Sequence, residues 1–298
     1  MEILIGIGIA ILLIIATATG FYIFITHPKR VSHDDALKIE ESKDFLKDFP
    51  SFKKEVLNIK ARDGYELHGI YVPYEGSNKT VIITHGYTYN YEGSIKYANV
   101  FRELGFNIYM YDLRHHGYNK STYCSMGYKE SRDVDDVYKY FREKLGDEAI
   151  IGLHGESLGA ASSIMALANI KDVDFLVADC GFADFNDLAR HLAKDGMHVP
   201  AFLFKLPVML CLILHGFRLD KIRPIDAFSE NKTTPVLFIH GKEDTFIPKD
   251  HSERMYEACR STKRLCIVDD ANHAESYFVN RTRYMEEVSA FLKDIGII

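Results

Sequence analysis

The chain has 298 residues, 47% of them hydrophobic, enough to bury a sizeable core in one large domain rather than two. With 36 Lys and Arg against 42 Asp and Glu the net charge is -6, which leaves no basic footprint and excludes nucleic acid as a partner. The five cysteines are odd in number and contain no Cys-x-x-Cys pair, so neither a disulfide scaffold, a zinc site nor a dithiol redox centre is indicated.

Residues Ile3 to Ile25 carry no charge, and as a helix they would reach roughly 34 Å, enough to cross the hydrocarbon layer of a membrane. Residues 1–28 are therefore expected to form a single-pass membrane anchor. The rival is a cleaved signal peptide ending near Ala16-Thr17-Ala18. Against it, no Lys or Arg precedes the apolar run, and cleavage would leave Phe21-Tyr22-Ile23-Phe24-Ile25 as an apolar mature end. Lys29 and Arg30 favour a cytoplasmic domain by the positive-inside rule, with the extracytoplasmic side left open. Residues 29–51 read as a membrane-proximal linker, with a helix over His33 to Phe49.

From Phe52 to Val72, two runs of β-like alternation flank Arg62-Asp63-Gly64 and predict an antiparallel hairpin at a sheet edge. Thr80 to Thr84 is a buried strand that ends in His85-Gly86-Tyr87. Tyr89 and Tyr91 follow, and their rings either line a cleft with Tyr87 or cluster by chance in a chain with 18 tyrosines. A helix from about Ser94 to Leu104 leads to a strand over Phe106 to Tyr111, then to Asp112-Leu113-Arg114-His115-His116-Gly117. Adjacent histidines diverge in direction and no carboxylate or cysteine cluster accompanies them, so no metal site is expected. Lys129 to Leu145 has helical spacing, with Asp133, Asp135 and Asp136 expected on its solvated face.

The stretch Ile150-Ile151-Gly152-Leu153-His154-Gly155-Glu156-Ser157-Leu158-Gly159-Ala160-Ala161 predicts strand, sharp turn and helix, with Ser157 at the apex and Gly155 and Gly159 where the two backbones approach. A serine hydroxyl needs a base, and the base needs an orienting acid. Both follow in the chain. Pro235 to Ile239 is a strand running into a loop with Asp244, and Arg264 to Val268 is a strand followed by His273. Asp179, at the end of a strand over Phe175 to Cys180, is the alternative acid.

The order Ser157, Asp244, His273, each just past a strand, resembles the α/β-hydrolase superfamily from about residue 52 to the C-terminus. The resemblance implies an α/β fold with a mostly parallel central sheet, helices on both faces and an antiparallel opening hairpin. It also implies a helical cap inserted over about residues 182–232, where Val199 to Phe217 is notably apolar. It assigns the oxyanion hole to the backbone amides of Tyr87 and Leu158, and it reads Asp112 with Arg114 as a buttressing pair beneath the site. The last helix, over Ser276 to about Ile295, would pack back on the sheet.

Within the superfamily the likeness is to the bacterial branch of carboxylesterases, lysophospholipase-like and serine-aminopeptidase-like proteins. The expectation is a serine hydrolase of carboxylic, including lipophilic, esters that works through an acyl-enzyme and needs no cofactor. A thioesterase, a peptidase and a non-catalytic membrane-tethered binding protein are the alternatives. Substrate and oligomeric state are not readable, and Glu156 before the serine is a departure with no assigned role.

Overall fold

The computed structural model describes residues 1–196 and 200–298, so Val199 and its two predecessors lie outside the described part of the insertion. The chain opens with α1 (Glu2–Thr26) and α2 (His33–Ser42), followed by short strands β1 (Glu55–Val56), β2 (Ile59–Lys60), β3 (Glu66–Leu67) and β4 (Gly69–Val72). Next come β5 (Lys79–Thr84), α3 (Ile95–Glu103), β6 (Asn107–Tyr111), α4 (Glu130–Leu145), β7 (Ile150–Glu156), α5 (Leu158–Ala166) and β8 (Phe175–Asp179). Helices α6 (Phe185–His191), α7 (Lys205–His215) and α8 (Ala227–Glu230) lead to β9 (Val236–Gly241). Then α9 (Asp250–Ala258), β10 (Lys263–Val268), α10 (Ser276–Val279) and α11 (Arg281–Asp294) close the chain.

Eight strands form the main sheet in the order β1-β4-β6-β5-β7-β8-β9-β10. From β6 to β10 the pairings are parallel, and β4 and β1 add an antiparallel edge. Parallel strands covered on both faces need apolar side chains in both directions, which is why they read as continuous runs. In β8, Leu176 and Ala178 join the core beneath α4 and α5, while Phe175 and Val177 join the core beneath α3 and α11. In β7, Ile151 and Leu153 take the first face; Gly152, on the other, leaves room for Phe175, whose ring would lie 2.0 Å from an added Cβ.

Several expectations change in detail. The hairpin around Gly64 exists, but its inner strands β2 and β3 pair as a separate two-stranded ribbon, and only β1 and β4 join the main sheet. The last helix is broken at Asn280, whose side chain accepts from the Arg283 amide at 3.0 Å and starts α11 anew. The acidic face of α4 is not solvated. Asp133 and Asp135 are buried, Arg114 holds Asp133, and Arg62 bridges Asp135 and Asp136. All five cysteines are buried free thiols.

Helix α1 is the one helix among the described residues long and apolar enough to cross a membrane, by length and composition. It is not a free tether. Ala18, Phe21 and Ile25 are buried at helical spacing, and the Phe21 ring stacks on Phe204 at 4.9 Å. Tyr22 Oη lies 2.6 Å from His215 Nε2 on α7, the Tyr87 hydroxyl donates to the Phe24 carbonyl, and the Cys124 amide donates to the Thr26 carbonyl at 2.7 Å.

Candidate active site

Strand β7 ends at Glu156 and α5 begins at Leu158, so Ser157 alone makes the turn, at φ 56° and ψ -114°. Such a conformation costs a non-glycine residue on the order of 1–3 kcal/mol and persists only where its surroundings impose it. They do so here: the Ser157 amide donates to the Asp179 carbonyl at 2.8 Å. A Cβ on Gly155 would lie 2.5 Å from the Gly159 carbonyl and the Ala160 nitrogen, so this glycine lets strand and helix cross. Gly159 has a different neighbour. Its Cβ would fall 2.0 Å from the Thr84 carbonyl oxygen, so it seats α5 on the end of the adjacent strand β5.

The loops after β7, β9 and β10 bring Ser157, Asp244 and His273 together. Ser157 Oγ lies 2.9 Å from His273 Nε2, and His273 Nδ1 lies 2.7 Å from Asp244 Oδ2. Burial alone would raise the Asp244 carboxyl. Hydrogen bonds from His240, His273 and the Ile247 amide instead hold it well below the usual carboxylate range. An ionised Asp244 can only accept, so Nδ1 carries the proton and Nε2 is left to accept from the serine hydroxyl.

The acid loop closes on itself, with Asp244 Oδ1 accepting from the Phe246 and Ile247 amides at 2.9 and 2.8 Å. His240 on β9, which sequence reasoning passed over as strand, donates from Nε2 to the Ile247 carbonyl at 2.8 Å and also lies 3.2 Å from Asp244 Oδ2. Asp179 is elsewhere. Its carboxyl lies 3.2 Å from the Tyr97 hydroxyl, and burial beside the Glu156 charge pushes it up to about 6.

Neither the Tyr87 nor the Leu158 amide donates to another group among the described residues. The loop carrying Tyr87 is pinned by histidines: His116 Nε2 accepts from the Thr88 amide at 3.2 Å, and His85 Nε2 accepts from the Leu113 amide at 2.8 Å. His116 Nδ1 donates to the Arg114 carbonyl at 2.6 Å, and His115 Nδ1 accepts from the Thr122 amide at 3.1 Å. Burial drives His116 down to about 3, so it holds the loop as a neutral ring.

Cys180, Asp244 and His273 offer ligand atoms within 4.8 Å of one another. Both His273 nitrogens are already engaged, and burial pushes the Cys180 thiol well up, so these groups serve a hydrogen-bond chain better than a metal.

Asp112 and Arg114 are not a pair. Arg114 binds Asp63 at 2.7 Å and Asp133 at 2.5 Å, while Asp112 accepts from His33 at 3.0 Å and from the Tyr91 and Tyr118 amides. The residues diverge because the intervening turn sends one side chain toward α4 and the other toward α2. Glu156 gains a partner that spacing could not suggest. Lys96 Nζ on α3 lies 2.7 Å from its carboxylate, and the Tyr97 hydroxyl donates to it at 2.5 Å.

Beside Ser157 lies a narrow apolar cavity of about 40 Å³, well below the roughly 300–1,000 Å³ of small-ligand sites. Its walls come from Phe182, Phe185 and Leu188 after β8, from Ile247 in the acid loop, and from Phe21, Phe24 and Ile25 of α1. Of the tyrosine cluster only Tyr87 lines it. Tyr89 donates to Glu40, and the Tyr91 ring packs on His33.

The sequence profile of the alpha/beta hydrolase fold matches residues 79–196. The protein YqkD of Bacillus subtilis (strain 168) is 33% identical over 99% of this chain and 98% of its own length. The membrane protein YNL320W of Saccharomyces cerevisiae is 24% identical over 82% of this chain and 81% of its own. The Pyrococcus furiosus esterase Pf2001 superposes with a TM-score of 0.68 at 25% identity, covering 85% of this chain and 93% of the esterase. The chain belongs to the alpha/beta hydrolase family.

Proposed function

We propose that the protein is a serine esterase that cleaves carboxylic esters with an apolar acyl group, through the triad Ser157, His273 and Asp244. The observation that carries this reading is the unbroken chain Ser157 Oγ, His273, Asp244, at 2.9 and 2.7 Å, opening on an apolar cavity. The similarity to a solved esterase supports it. His273 Nε2 takes the hydroxyl proton as Oγ adds to the ester carbonyl carbon, and Asp244 holds Nδ1–H and meets the imidazolium charge. The Tyr87 and Leu158 amides receive the oxyanion, each such donor being worth about 10²–10³ in rate. His273 then protonates the departing alcohol. Water, deprotonated by His273, attacks the acyl-enzyme, and the serine regains its proton as the acid leaves. Helix α1 anchors the enzyme in a membrane as a single pass, with the domain on the cytoplasmic side.

The test is turnover of p-nitrophenyl butyrate by the full chain in detergent. Wild type hydrolyses it, and Ser157→Ala and His273→Ala each lower kcat roughly 10⁴-fold or more. Undiminished turnover in either variant would overturn the assignment.

A further inference from the structure

Only the end of α1 is fastened to the domain. Residues before Ala18 carry no buried side chain among those described, and the free segment Glu2–Thr17 reaches only about 24 Å at 1.5 Å per residue. The hydrocarbon layer is about 30 Å thick, so a spanning α1 must use part of its docked end as well. Whatever packs on that end is then carried into the membrane boundary.

What packs there is suited to it. Helix α7 lies against α1, and its outward residues Met209, Leu212 and Ile213, at i, i+3 and i+4, are all exposed, Ile213 to 68%. Leu214 is exposed beside them. A helix facing water carries polar residues there; an exposed apolar stripe continuous with a membrane-spanning helix calls for lipid. The cavity at Ser157 meets the same edge. Phe24 both lines the cavity and is 47% exposed, which puts part of the rim on α1, and Phe204, on which Phe21 stacks, immediately precedes α7.

We propose that the α1–α7 edge is seated in the bilayer, that the acyl cavity opens onto it, and that the substrate is an acyl ester resident in the membrane. Helix α1 is then a wall of the substrate site as well as an anchor. The substrate class rests on the esterase reading; the seating does not. An apolar chain leaving the bilayer past Phe24 would meet apolar surface all the way to Ser157, so it need not pass through water.

Two measurements on the full chain in phosphatidylcholine vesicles test this. The protein has no tryptophan, so Ile213→Trp is a single reporter of where α7 lies. Its emission should be quenched when the vesicles carry brominated acyl chains; unquenched emission overturns the seating. The second compares a water-soluble ester, p-nitrophenyl butyrate, with p-nitrophenyl palmitate held in the vesicles. Replacing Leu212, Ile213 and Leu214 by Ser should lower palmitate turnover about tenfold or more and leave butyrate turnover within about twofold. Equal losses on both esters, or none on either, overturn the route. Quenching with no turnover of either ester by wild type would sink the esterase reading and leave the seating intact.

Discussion

Lys96 and Glu156 form a buried ion pair directly beneath the turn that holds Ser157, with Glu40 and Asp179 close by. Glu156 stays ionised: burial opposes it, but the charge and hydrogen bonds of Lys96 and Tyr97 outweigh that, while burial pushes Glu40 up to about 7. The direct ion pair is thus Lys96 with Glu156, while near pH 7 Glu40 is partly protonated and Asp179, at about 6, is mostly ionised. Removing one partner of such a pair leaves an uncompensated buried charge, typically at about 3–5 kcal/mol. Glu156→Gln should therefore lower unfolding stability by about that much while kcat of the folded protein falls less than about tenfold, because the glutamate touches no reacting atom. Denaturant unfolding beside p-nitrophenyl butyrate kinetics checks it, and a stable but inactive variant would contradict the structural role. The residues converging on His273 could be picked out in sequence because each follows a strand in a recognisable order. Lys96 could not, because nothing about a lysine sixty residues before Glu156 marks it as buried.

Helix α2 is seated on the domain by the buried His33, Ala36 and Glu40, and His33 is its titrating tie. His33 at its start donates to Asp112 at 3.0 Å, lies 3.4 Å from Glu92, and stacks on Tyr118 at 3.7 Å and 4°. Burial alone would lower the imidazole, but the hydrogen bonds to Asp112 and Glu92 lift it to about 9. A folded value above the unfolded one, near 6.5, gives stability fully present below about pH 6.5 and lost as pH rises through about 9. Unfolding free energy should fall across that window by on the order of 3 kcal/mol in wild type, and His33→Gln should flatten the fall. The same slope in both would show that another group sets it. The strands were readable because burial on both faces writes itself as an apolar run. The acidic face of α4 was misread because its charges alternate with apolar residues just as solvated ones do, and its partners Arg62 and Arg114 lie in other loops.

Across the whole molecule, the sequence marks α1 as long and apolar but is silent on where its last turns go. Aromatic residues near the end of a span ordinarily belong to the membrane interface. Here Phe21 and Tyr22 instead meet Phe204 and His215, and Phe24 meets Tyr87. A chain cut before His33 would lack the wall of the cavity that Phe21, Phe24 and Ile25 supply. The account's central claim is an activated Ser157, and labelling with a fluorophosphonate tests it most directly, because the probe needs the nucleophile and its base but no particular substrate. The full chain in detergent should take up one label, on the peptide carrying Ser157, with none in Ser157→Ala and about 10³-fold slower uptake in His273→Ala. A folded wild type that stays unlabelled, or one labelled equally fast without His273, would contradict it.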